Sequence, residues 1–251
     1  MLIGVKIGNS TFKTIVFENP ENNNFSLLFQ SSLNKLDWNI LERIIKMKTS
    51  AFNPDCIICS VVPNISERFL NTFKDQFNKI FTVNSKLMTG LILKVNNPEK
   101  FGGDRLACCV AAYELFKENI AIVDAGTATT ITIVKKNGEI LGGAIMPGIE
   151  MMNYSLHEKT ALLSIVNLSD SVYPLGSDTD SAIRSGIILG TIYGIKGIIK
   201  EIEQFLDIEL KIILTGGNAE LIKKYLNFPY DYLPHLVFEG MRLIYLKKIK
   251  N

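Results

Sequence analysis

Val5-Lys6-Ile7-Gly8-Asn9-Ser10-Thr11-Phe12-Lys13-Thr14-Ile15-Val16 and Val123-Asp124-Ala125-Gly126-Thr127-Ala128-Thr129-Thr130-Ile131-Thr132-Ile133-Val134 align without a gap, with Val, Gly, Thr, Thr, Ile and Val coinciding. Each stretch reads as strand, glycine-containing turn and returning strand, because β-branched residues fill the flanks and short polar ones the turn. Any hairpin draws on these residue types, so composition accounts for part of the match. Order accounts for the rest: each stretch opens one half of the chain, and each half continues with further strands and then helices. The repeat is too long for a solenoid and implies two related domains. The expectation is an α/β chain of two domains, 1–117 and 118–251, with a cleft between them of the kind that favours ligands.

Working outward, strands are expected at Leu2 to Ile7, Phe12 to Glu18, Phe25 to Phe29, Cys56 to Val62 and Lys79 to Val83. Leu36 to Met47 has helical spacing, with Leu36, Ile40, Ile44 and Met47 on one face. Further helices are expected from Ile65 to Phe77 and from Asp104 to Lys117. Ile120 to Val134 forms the second hairpin, and Asn137-Gly138 signals a tight turn before Glu139 to Ile145. Leu210 to Leu214 is a later strand.

A net charge of +2, with 47% hydrophobic and 21% charged residues in 251, is that of a globular protein without the cationic excess of a nucleic-acid binder. No apolar run reaches the roughly 18 residues that cross a bilayer, and the N-terminus has no secretory pattern, so a cytoplasmic protein with no membrane or nucleic-acid partner is expected. The four cysteines form two tight pairs, Cys56/Cys59 and Cys108/Cys109. Zinc is one reading of them. Strand alternation and helical adjacency point the members of each pair apart, which favours small core residues.

Each hairpin loop combines glycine with short hydroxyl or amide side chains, Gly8-Asn9-Ser10-Thr11 and Gly126-Thr127-Ala128-Thr129-Thr130. Glycine admits close backbone approach, and consecutive N–H groups and hydroxyls donate to phosphate oxygens. Asp124 ends an apolar strand, where it either caps nearby N–H groups or serves a cation at the phosphates. Lys6 holds the equivalent place in the first repeat, and must reach solvent, a carboxylate or an anion. Lys13 on the returning strand has the same choice of solvent or phosphate. Phe101-Gly102-Gly103-Asp104-Arg105 opens a helix, so Asp104 is either a simple cap or a proton acceptor beside the planar fork of Arg105. Gly142 to Gly148 and Thr215-Gly216-Gly217-Asn218 are glycine turns; glycine after a parallel strand also admits a flat ring such as adenine.

Ile7-Gly8-Asn9-Ser10, Ser60-Val61-Val62-Pro63, Pro98 to Arg105, Val123 to Thr130, Gly142 to Gly148, Ser185-Gly186 to Gly190, Thr215-Gly216-Gly217 and Phe238-Glu239-Gly240-Met241, in this order, resemble the type III pantothenate kinases and Bvg accessory factor proteins. The resemblance implies an acetate and sugar kinase/Hsc70/actin fold of two ribonuclease-H-like domains. It also implies a homodimer that transfers the ATP γ-phosphate to the primary hydroxyl of pantothenate, the first step of coenzyme A biosynthesis. Asp104 would then be the general base, with Gly102, Gly103 and Arg105 at pantothenate. Asn9, Ser10, Thr127, Thr129 and Thr130 would meet the ATP phosphates, with Lys6, Gly8, Lys13, Gly216 and Gly217 in the same nucleotide site. Asp124 would serve potassium or ammonium, and Thr179 the partner subunit's site. The chain departs from the family twice. Lys6 stands where the family's Asp-x-Gly-Asn-Thr has the aspartate that holds Mg²⁺, and Val95 where many members have tyrosine. The first departure leaves open a second reading, a weak or inactive homologue that binds nucleotide or ligand and regulates.

Overall fold

Leu2-Ile3-Gly4-Val5-Lys6-Ile7 forms β1 (Leu2–Ile7), and alternation sends Ile3, Val5 and Ile7 to one face and Leu2, Gly4 and Lys6 to the other. The computed structural model describes residues 1–50, 53–87 and 89–250. β2 (Thr11–Phe17) and β3 (Ser26–Ser32) follow as an antiparallel meander. After α1 (Trp38–Thr49), β4 (Asp55–Ser60) returns parallel to β1; after α2 (Pro63–Phe73), β5 (Ile80–Thr82) lies parallel to β4. The sheet order is β3-β2-β1-β4-β5. A two-residue strand, β6 (Ile92–Leu93), and α3 (Gly103–Phe116) come next.

One face of this sheet packs Ile3, Val5, Ile7, Phe12, Cys56 and Ile58 against Leu41 and Ile45 of α1 and Phe69 and Phe73 of α2. The expected face of α1 is therefore shifted: Ile40 and Met47 are exposed. Asp37 caps the helix through the N–H groups of Asn39 and Ile40, leaving Leu36 outside it. Trp38, stacked on Phe73 with ring centroids 6.4 Å apart, turns Leu41 and Ile45 inward.

The second hairpin, β7 (Ile120–Ala125) and β8 (Ala128–Val134), leads to β9 (Glu139–Pro147), α4 (Ile149–Lys159) and the long α5 (Thr179–Leu206). β10 (Lys211–Thr215), the short α6 (Ala219–Ile222) and β11 (Asp231–Tyr232) complete this part. Its strands run β9-β8-β7-β10-β11, the order of the first sheet repeated. β1 and β7 share one burial pattern, and β2 and β8 share another. Pairing corrects the gapless alignment beyond the glycine, however. Ile7 pairs with Phe12, five residues on, but Ala125 pairs with Thr129, four on. Gly8 N–H correspondingly donates to the Thr11 carbonyl, and Gly126 N–H to that of Ala128. The second loop is one residue shorter, so Lys13 corresponds to Thr130, while Lys6 still corresponds to Asp124.

The chain divides into Met1–Leu115 with Leu236–Asn251, and Phe116–His235. This corrects the expected second domain of 118–251, because the last helix, α7 (Leu236–Lys250), belongs to the first unit. It covers the second face of the first sheet. Met241 packs, fully buried, over Gly4, and the Tyr245 hydroxyl donates to Asp55 of β4 at 2.9 Å. Gly240 lies so close to α3 that a Cβ there would meet the Ala107 carbonyl oxygen at 1.8 Å. α5 is long and apolar enough to cross a membrane by length and composition, unlike any stretch singled out in the sequence. Its Ile183, Ile187, Ile188, Ile192, Ile195 and Ile199 form the core of the second unit, which accounts for that composition.

Candidate active site

In the first unit β1, β4 and β5 are parallel, so their carboxyl ends share one edge of the sheet, the usual place for ligands in such sheets. The Gly8-Asn9-Ser10 loop leaves β1 at this edge, with Asn9 and Ser10 exposed. The Ser10 carbonyl is held by the N–H of Leu33. Beyond β5, Val83 N–H donates to the Ile58 carbonyl, and the start of α3 packs on Val83. Only glycine fits at Gly103, where a Cβ would lie 2.5 Å from the Val83 carbonyl oxygen. Gly102 leaves the space into which the Asp104 carboxylate leans, 2.7 Å from a would-be Cβ. Asp104 Oδ1 also accepts the Arg105 N–H at 2.8 Å. The first turn of a helix favours such a carboxylate. The Arg105 guanidinium lies 4.6 Å from the Phe101 ring centroid. Burial lowers the pKa of Arg105, against the opposing fields of Cys109 and Asp104. Burial also pushes the Cys109 thiol up to about 12, so it stays protonated near neutrality. β1 and β5 are two strands apart, so the loop and the start of α3 lie along the same edge of the sheet.

Lys6 lies between Lys13 on β2 and Cys59 on β4, and Lys13 faces Gln30 on β3, making a row Gln30-Lys13-Lys6-Cys59 across the sheet. Both lysines are partly buried. Burial first, and the Lys6 ammonium second, hold Lys13 below the usual lysine range.

The same row of the second unit reads Ile145-Thr130-Asp124-Thr215. Asp124 thus has a threonine on each side, where Lys6 has a lysine and a cysteine. Gly216 adopts φ +102° and admits the Asp124 carboxylate 2.4 Å from where its Cβ would be. Asn218, which sequence reasoning treated only as a turn residue, fixes the loop: its backbone N–H donates to the Ala125 carbonyl at 2.8 Å and its side-chain amide to the Gly126 carbonyl at 3.3 Å. Gly148 N–H donates to the Thr127 carbonyl at 3.1 Å. Thr127 is partly buried on the loop and Gly217 is open. Thr129 is buried beside Ala125 and Met146 on the core face, so its hydroxyl is on the side of the sheet opposite Asp124 and Thr130. Thr179 is exposed in the first turn of α5, where Asp178 and Ser181 form a capping box. Gly142 and Gly143 lie within β9 next to a register shift, not at its end, and a Cβ at Gly143 would meet the Ile131 carbonyl oxygen at 1.9 Å.

Asp124 between two hydroxyl-bearing residues is an oxygen donor set suited to a hard cation such as potassium or ammonium. The first unit's row does not fit Mg²⁺: a protonated lysine at position 6 cannot ligate it, and its neighbours supply an ammonium and a buried thiol. Among the described residues no cluster of three or more His, Cys, Asp or Glu side chains is placed to hold a metal.

Two sheets of one strand order, each with a polar loop after its first strand, define the acetate and sugar kinase/Hsc70/actin class. The chain is similar over 99% of its length, and 100% of the other chain, to the crystal structure of a conserved putative Baf family transcriptional activator from Campylobacter jejuni, with TM-score 0.64 and 21% identity. A putative 2-dehydro-3-deoxygalactonokinase from Sinorhizobium meliloti matches it over 100% of this chain and 98% of its own, with TM-score 0.53 and 12% identity. Residues 2–201 match the family model for type III pantothenate kinase. The type III pantothenate kinase of Persephonella marina is 33% identical over 98% of both chains, and that of Agathobacter rectalis 34% over 77% of this chain and 75% of its own. The chain belongs to the type III pantothenate kinase family.

Proposed function

We propose that the chain transfers the γ-phosphoryl group of ATP to the primary hydroxyl of pantothenate, forming 4'-phosphopantothenate for coenzyme A synthesis. The observation that carries this is the Gly102–Arg105 segment, which puts Asp104 and Arg105 in the first turn of α3 at the carboxyl edge of the first sheet, with the Asp104 carboxylate held by the Arg105 backbone N–H. Asp104 accepts the hydroxyl proton as the oxygen attacks the γ-phosphorus; the new O–P bond forms as the bond from that phosphorus to the β-phosphate oxygen breaks, and ADP departs. Arg105 suits the carboxylate of pantothenate through its planar fork. The N–H groups and side chains of Asn9, Ser10 and Thr127 suit phosphate oxygens, and Thr130 shares the face of Asp124. A monovalent cation bound by Asp124 would supply positive charge near the phosphates.

A homodimer is part of this reading. One face of α5 carries Tyr193, Gly194, Gly197, Ile198, Ile202 and Phe205 along a groove that is apolar but for Glu201, with Phe205 88% exposed. An apolar face of this kind supports docking of a second copy, next to which Thr179 would meet the partner's site.

A second reading, nucleotide binding without turnover, is favoured by Lys6. The test is conversion of ATP to ADP by the purified protein with pantothenate, Mg²⁺ and potassium. Turnover that drops by at least about a hundredfold in Asp104→Asn supports the kinase. A silent native protein that gains activity as Lys6→Asp sinks it in favour of the second reading.

A further inference from the structure

Lys6 and Lys13 are direct partners in an antiparallel pair, so their side chains leave the same face of the sheet from Cβ positions about 5 Å apart. Beneath them on that face lie Leu2, Gly4, Ile15, Phe17 and Ile57, apolar and buried. Lys6 stands two residues before Gly8, near the carboxyl end of β1, and the apolar residues below favour side chains that lay their aliphatic stems on them and carry the ammonium groups away from them. Burial disfavours the charged form of Lys13 first, and the like charge of Lys6 in register adds to that, so its pKa is lowered. Hairpin geometry does not require them, because the second unit puts Asp124 and Thr130 at the same two places.

We propose that Lys6 and Lys13 form a paired-ammonium clamp that takes nucleotide phosphate oxygens directly, in place of a carboxylate-held divalent ion. The clamp rests on the reading that the Gly8–Ser10 loop is a nucleotide-phosphate site. One anion between the two ammonium groups converts their repulsion into two charge-assisted contacts. Nucleotide affinity then does not depend on Mg²⁺.

The experiment is calorimetric titration of the full chain with ADP and with the β,γ-imido analogue of ATP, in Mg²⁺ and in EDTA. The expected result is dissociation constants within about threefold of each other in the two buffers, with Lys6→Gln and Lys13→Gln each weakening binding in EDTA by roughly tenfold. Lys6→Asp should reverse the pattern, binding at least about tenfold more tightly in Mg²⁺ than in EDTA. Native protein that binds in Mg²⁺ but loses about tenfold or more in EDTA overturns the clamp and leaves the nucleotide site standing. Equal binding by native protein and both glutamine variants in EDTA likewise overturns the clamp alone. Absence of binding in either buffer removes the nucleotide-site reading and the clamp with it. The native comparison needs no variant, so it holds even where a substitution impairs folding.

Discussion

Gly216 and Gly217 are adjacent yet answer to different forces. Gly216 is in the left-handed region, and a Cβ there would meet both the Asp124 carboxylate and the Ala125 carbonyl oxygen, 2.5 Å away. Gly216→Ala is expected to cost about 2 kcal/mol in urea unfolding, from backbone strain and displacement of the carboxylate. Gly217 has open space around it, and Gly217→Ala should stay within about 0.5 kcal/mol of the native protein. Equal effects would mean that the Asp124 turn is not held as described. At this scale the equivalence of Lys6 and Asp124 was legible, because both precede their loops. The correspondence of Lys13 with Thr130 was not. Threonine recurs so often in β8 that a gapless alignment found identities one residue out of register, and only strand pairing reveals the shorter loop. The inward turn of Thr129 is a consequence of the same shift.

At the scale of elements, α7 is tied to β4 by the hydrogen bond from Tyr245 to Asp55. Burial first, and the bond to Asp55 with its negative charge second, raise Tyr245 to about 12. A folded pKa above the unfolded value of about 10 means that the folded state holds more protons between those values. The stabilisation is complete below about pH 10 and is lost as the pH rises toward 12. Tyr245→Phe should cost about 1 kcal/mol at neutral pH, and the native-minus-variant difference should shrink across that alkaline window. A constant difference from pH 8 to 12 would contradict the assignment. Helical periodicity could place α7 as an amphipathic helix but not name the sheet it covers, since a repeating apolar face is compatible with either unit. The same degeneracy misplaced the face of α1: the spacing of Ile40, Ile44 and Met47 suits a helix as well as that of Leu41 and Ile45, and Trp38 against Phe73 decides between them.

At the scale of the whole molecule, two sheets with one strand order were legible from the repeat itself, because hairpin, loop and flanking helices recur in sequence. The proposed dimer leaves a weaker trace, since the apolar residues outside the core of α5 are spaced like those within it. Tyr193→Glu with Phe205→Asp should convert a dimer into a monomer in sedimentation while retaining the helical circular dichroism of the native protein. A native protein that sediments as a monomer throughout would remove the dimer from the reading. A chain ended at His235 should lose amide protection in β1, β4 and α3 while residues 116–235 keep theirs, because α7 supplies one side of the first sheet's packing. Uniform loss across both units would contradict the assignment of α7.

The placement of α7 also orders events in time. Residues 236–250 leave the ribosome after 116–235, so the strands carrying Lys6 and the loop before Asp104 wait for the last helix, while the later unit already has all its segments. Domains ordinarily fold in the order of their synthesis. Here the part begun first is completed after the part that follows it, and the face of β1 that carries Gly4 stays uncovered until residues 236–250 have emerged.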